Sequence, residues 1–103
     1  MNLSEAQKRV IQNKIAHGFE VGDLDKEFLY LYGEVGEAYS AYIKHLPKDD
    51  LGSELADIAI YLLGIAEMTK IDLEAEIIKK MEINEKRVYK TLPNGEIVKI
   101  EPK

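Results

Sequence analysis

The chain has 103 residues, of which 46% are hydrophobic and 32% charged, a balance that suits one folded domain of 1–103 and not a disordered segment. It contains no cysteine, which excludes disulfides and thiolate metal sites and fits a reducing compartment. A net charge of −5 without a basic stripe argues against nucleic acid as a partner, and the longest apolar run, the nine residues Ile58 to Ala66, is too short to cross a membrane.

The N-terminal MNLSEAQKRV is polar and mixed in charge, unlike a secretion signal, so a cytoplasmic protein is expected. Ser4 opens S-E-A-Q, a capping-box pattern. Val10, Ile11 and Ile15 then mark a weakly amphipathic first helix ending near Gly18. Asp25 is the expected cap of a second helix with Phe28, Leu31, Val35, Ala38 and Tyr42 on its apolar face. Asp49 or Asp50 opens a third, running to about Thr69 and apolar on nearly every side from Leu55 to Ala66. Asp72 caps a fourth, with Leu73, Ile77, Met81 and Val88 along one face. The helical part covers about 4–88. The tail, 89–103, carries two β-prone runs around Pro93-Asn94-Gly95 and predicts a hairpin. The expected fold is an all-α four-helix bundle with a short C-terminal hairpin or extended tail. A third helix apolar all round needs more cover than three short neighbours give, which points to a homo-oligomer.

Four pairs of acids stand three residues apart: Glu20/Asp23, Glu34/Glu37, Glu54/Asp57 and Glu82/Glu85. Composition alone gives about three such pairs, so surroundings decide which matter. Glu82 and Glu85 sit among other polar residues, and Glu20 and Asp23 lie in an expected loop. Asp57, by contrast, is the only charge between Leu55 and Ala66, and at about 100° per residue it shares a stripe with Glu54, Ile58, Tyr61, Ile65 and Met68. Glu34 borders the apolar stripe of the second helix.

Carboxylates gathered in a core must be neutralised. One solution is pairing with Lys or Arg from the fourth helix. The other is a hard divalent cation, Mg²⁺ with Mn²⁺ as the alternative, which takes oxygen ligands and shares its shell with phosphate. His17 and His45 are not spaced as E-x-x-H with any acid, which disfavours a ferritin-like di-iron centre and zinc. On the fourth helix Lys80, Asn84 and Arg87 fall within roughly 60° of one another, either a solvated flank or a cationic clamp for phosphate.

In order along the chain these are Glu34-Val-Gly-Glu37, sixteen residues, Glu54-Leu-Ala-Asp57, and Lys80-x-x-x-Asn84-x-x-Arg87. The arrangement resembles the MazG-type all-α nucleoside triphosphate pyrophosphohydrolases over roughly residues 25–90. The segment Asn13 to Phe19 resembles the start of some members. The resemblance implies Mg²⁺-dependent hydrolysis of an NTP or dNTP to the monophosphate and pyrophosphate, in nucleotide-pool housekeeping. It further implies Glu34, Glu37, Glu54 and Asp57 as catalytic metal ligands. Lys80, Asn84 and Arg87, with Lys14 and Phe19, become substrate contacts, and the assembly a homodimer or homotetramer. Many members carry E-E-x-x-E, and this chain has Gly33 at the first position. The alternative is a non-catalytic oligomerisation or nucleotide-binding module whose acids are salt-bridged.

Overall fold

The structure is a computed structural model that describes residues 1–100. It contains four helices, α1 (Leu3–Ala16), α2 (Leu24–Ile43), α3 (Lys48–Met68) and α4 (Leu73–Lys86), followed by strands β1 (Val88–Thr91) and β2 (Ile97–Ile100). The all-α architecture with a terminal hairpin is therefore observed. The chain divides into two compact units, one of Met1–Leu73 and one beginning at Glu74.

In the first unit α1 and α2 both pack on α3. The buried apolar residues are Ala6 of α1, Ala38 and Ala41 of α2, and Leu63, Ile65 and Ala66 of α3. The small side chains let the helices approach closely, and Leu63 and Ile65 contribute about 1.5–3 kcal/mol each by leaving water. Gly64 makes the closest approach. A Cβ placed there would lie 3.4 Å from Val10 Cγ1 and 3.9 Å from Ile11 Cδ1. Gly64→Leu is therefore expected to cost about 1–3 kcal/mol in urea unfolding, because the larger side chain must push α1 away. Gly64→Ala should stay within about 1 kcal/mol, its methyl meeting Val10 and Ile11 at ordinary contact distance while helix propensity improves.

The caps differ from the sequence reading. Asn2, not Ser4, caps α1, its side chain accepting from Glu5 N at 2.8 Å. The expected capping-box partner Gln7 is buried and turned to another task. Its Nε2 donates to Glu67 Oε1 at 2.9 Å and to the Ile71 carbonyl at 2.7 Å, and its Oε1 accepts from Leu73 N at 3.3 Å. A buried amide must satisfy both ends, and the chain leaving α3 supplies what the end of α1 would have. Ser4 Oγ donates to Asp72 Oδ1 at 3.3 Å. Asp23, not Asp25, caps α2 by accepting from Lys26 N. Pro47 precedes α3 without a side-chain cap, and Asp49 and Asp50 lie in the first turn, where they complement the helix dipole. Thr69 closes α3, its hydroxyl donating to the Ile65 and Ala66 carbonyls.

The phase of α2 also differs. Of the expected core stripe Ala38 is buried and Leu31 partly so, but Phe28, Val35 and Tyr42 are exposed, whereas Glu27 and Ala41 are buried. The face turned to α3 is the one that carries the carboxylates.

In the second unit β1 and β2 pair antiparallel, with Val88 opposite Ile100 and Thr91 opposite Ile97. The loop is the predicted one. Gly95 has φ +90°, its N–H donates to the Leu92 carbonyl at 2.9 Å, and Asn94 Oδ1 accepts from Glu96 N at 3.0 Å. Pro93 fits the fixed φ of the turn's first corner, and only the residue at Gly95 needs left-handed backbone. The tail thus begins at Val88, one residue earlier than the pattern indicates.

Candidate metal centre and cleft

Helix α2 presents Glu34 one turn before Glu37, and α3 presents Glu54 one turn before Asp57. Because α2 packs on α3, acids from both helices meet. Carboxylate oxygens of Glu34, Glu54 and Asp57 all lie within 4.8 Å of one another. Glu37 stands beside them and acts electrostatically on both Glu34 and Glu54.

This gathering is unfavourable without a counter-charge. The Glu34 carboxyl is pushed above the usual glutamate value of 4.5 by burial first, then by the charges of Glu37, Asp57 and Glu54. Glu54 is raised for the same leading reason, burial, and next by Glu37. Each keeps one oxygen, Oε2, buried without a hydrogen-bond partner. Within residues 1–73 the ion pairs are Lys14–Glu27 and Lys26–Asp23, so no lysine or arginine of this unit neutralises the four acids. An all-oxygen donor set with orphaned buried oxygens fits a hard divalent cation. The cluster could hold a metal.

The raised values set the sign of a pH effect. In the metal-free folded protein Glu34 and Glu54 hold their protons more tightly than in the unfolded chain. The stability this supplies is complete below the ordinary glutamate range and is lost as pH rises through the raised folded values. In chelator, the melting temperature is expected to fall as pH rises from the ordinary glutamate range through the raised values of Glu34 and Glu54. That fall should shrink in Glu34→Gln and Glu54→Gln, as calorimetry across the range can check.

Glu34 and Asp57 line a cleft of about 1150 Å³ among α1, α2 and α3, together with Asn13, Lys14, Phe19, Glu27, Tyr30 and Tyr61. Glu37 and Glu54 line a smaller one of about 340 Å³ beside Ser40, Lys44 and Ser53. The acids thus stand between two open spaces. The structure brings Lys14 and Phe19 into the same cleft as Glu34 and Asp57. Phe19 is 66% exposed there. Lys14 Nζ meets Glu27 Oε1 and lies 5.7 Å from the Tyr61 ring centroid. Lys80 and Asn84 lie on α4 and Arg87 just beyond it, in the unit that begins at Glu74.

Sequence reasoning gave Glu27 no place in the site. Tyr30 and Tyr61 rings approach at 6.0 Å, tilted by 46°. Burial, then the charge of Glu34, pushes the Tyr61 hydroxyl above its usual value of 10.0, so it stays a proton donor. A signal was present: Glu27 stands seven residues before Glu34, and Tyr61 seven after Glu54, each two turns along the same face.

The geometry defines a class: an all-α protein whose packed helices set a carboxylate cluster at the wall of an open cleft. Comparison with known proteins gives the particulars. The chain superposes on a solved MazG-like pyrophosphohydrolase from cyanophage S-2L with a TM-score of 0.51, 19% identity, and 98% and 99% of the two chains covered. That relation shows a MazG-like fold. The cyanophage protein was determined bound to dGDP and three catalytic Mn²⁺ ions per active site. In sequence, the chain is 41% identical over 66 residues to a dATP/dGTP diphosphohydrolase of Salmonella phage PMBT28. The match covers 59% of this chain and only 23% of that protein. No family model matches the chain. No helix among the described residues is long and apolar enough to cross a membrane.

Proposed function

We propose that the chain is a metal-dependent nucleoside triphosphate pyrophosphohydrolase, cutting a dNTP or NTP to the monophosphate and pyrophosphate. The observation that carries this reading is the pair of buried, partnerless oxygens on Glu34 and Glu54, within reach of Asp57, in a cluster whose Glu34 and Asp57 line the larger cleft. The phage relatives, one named for dATP and dGTP and one holding dGDP with Mn²⁺, support deoxynucleotides as substrates and Mg²⁺ or Mn²⁺ as the cofactor.

Glu34, Glu54 and Asp57 hold the ion, with Glu37 completing the set. A divalent cation held by these acids would supply Lewis-acid polarisation of the phosphoryl group and a lowered pKa for a nearby water. Of the four acids Glu37 lies outside the tight three-acid group, and the oxygen of its carboxylate not engaged by the ion is assigned to take the proton of the attacking water. A water oxygen–phosphorus bond forms, the anhydride bond breaks, and pyrophosphate departs with the electron pair. Lys80, Asn84 and Arg87 are assigned to phosphate on the strength of their motif. Lys14 and Phe19 are assigned to the nucleoside side of the cleft. The exposed stripe of Phe28, Val35 and Tyr42 supports a homodimer or homotetramer, which sedimentation would resolve. A housekeeping role in the cytoplasmic nucleotide pool follows from this activity.

The test is a panel of NTPs and dNTPs with Mg²⁺ or Mn²⁺, read as pyrophosphate release. At least one dNTP should release pyrophosphate and none should do so in chelator. Silence across the panel at several pH values would contradict the proposal.

A further inference from the structure

Glu27 is not used by the phosphate chemistry, yet it is the most deeply placed acid in the larger cleft. It is 5% exposed. Oε1 accepts from Lys14 Nζ, whereas Oε2 is buried with no hydrogen-bond partner. A lysine–glutamate pair with only a structural task has no use for an empty acceptor, which costs free energy if left unmade. Glu27 lines the cleft together with Phe19, Tyr30 and Asn13, so its unpaired oxygen lies just behind that wall.

Glu27 also stands at a telling distance. It precedes Glu34 by two turns of α2, about 10 Å along the axis. That is the reach from a nucleotide's reacting phosphorus, across its ribose, to the base. A nucleotide with its phosphates on the acids would bring its base to Glu27, among aromatic side chains suited to stack on it.

We propose that Glu27 is a specificity-determining residue that reads the nucleobase and selects guanine. The inference rests on the triphosphate reading above. A carboxylate is acceptor-only and forked: Oε2 has no partner, and Oε1 keeps a lone pair beyond the one that Lys14 uses. Among the common bases only guanine offers two adjacent donors on one edge, N1–H and the 2-amino group. Adenine turns the acceptor N1 towards the same place, and hypoxanthine lacks the amino group. Lys14, beside Glu27, is a donor suited to guanine O6. Lys14 thus holds the carboxylate in place and contributes to the same edge.

The experiment is calorimetric binding, with Mn²⁺, of the non-hydrolysable α,β-imido analogues of dGTP, dITP and dATP. The wild type is expected to bind the dGTP analogue at least ~10-fold more tightly than either other, since a site built around a hydrogen bond rejects a ligand that lacks it. Glu27→Gln should reduce that preference to within ~3-fold, chiefly by weakening the dGTP analogue. Glu27→Asp, which keeps the charge beside Lys14 but withdraws the fork, should lose the preference as well. It serves if the glutamine variant fails to fold. A wild type that treats dGTP and dITP analogues alike, or a folded variant that keeps the full preference, overturns the assignment while leaving the hydrolase reading intact. If no analogue binds the wild type, the triphosphate reading falls and this inference with it.

Discussion

Glu54→Gln is expected to lower kcat/KM for the best triphosphate by on the order of 100-fold or more, while making the metal-free protein more stable at neutral pH. The two effects have one cause. Glu54 sits against Glu34, Glu37 and Asp57, where burial and like charges disfavour its ionised form. An amide of the same shape removes that repulsion, so the folded state gains. It also removes an anionic oxygen from the set proposed to hold the ion, so turnover is lost. Pyrophosphate release and thermal unfolding in chelator, measured on one preparation, check both signs. A variant that is inactive because it is less stable would make Glu54 a structural residue. A variant that stays fully active would remove it from the metal site.

Mn²⁺ or Mg²⁺ is expected to raise the melting temperature strongly. An ion that binds only the folded state contributes about 2.7 kcal/mol at a hundred times its dissociation constant. For a domain of this size that is about 10 °C or more. The gain should be larger at about pH 7.5 than at about pH 5, because protons compete for the same carboxylates. It should be absent from Glu34→Gln/Glu54→Gln, whose metal-free form already lacks the repulsion. Scanning fluorimetry with and without chelator resolves shifts of this size. An equal gain in wild type and double variant would place the ion elsewhere.

The gathering of the acids was more legible than the packing around them. Glu54 and Asp57 could be read because a charge inside a long apolar helix has few innocent explanations. Glu34 could be read because the resemblance placed it. The phase of α2 could not. Phe28, Leu31, Val35, Ala38 and Tyr42 form the more hydrophobic stripe, yet only Leu31 and Ala38 of it turn inward, beside Glu27, Glu34 and Ala41. Hydrophobic periodicity locates an apolar face without saying what covers it, and this chain has more apolar face than its own helices bury. The caps were misplaced by two or three residues for another reason. Asn2 and Ser4, or Asp23 and Asp25, are equally good caps by type, and tertiary hydrogen bonds such as those of Gln7 decide between them. The Lys14–Glu27 pair joins two helices, a relation that spacing within one helix does not encode.

A titration of the purified protein with Mn²⁺, following loss of the free-ion paramagnetic resonance signal, tests the placement of the ion most directly. Wild type should take up the ion to saturation, and Glu34→Gln/Glu54→Gln should leave it free over the same concentrations. Uptake that is undiminished in the double variant, or absent from the wild type even with a triphosphate analogue present, would contradict the account.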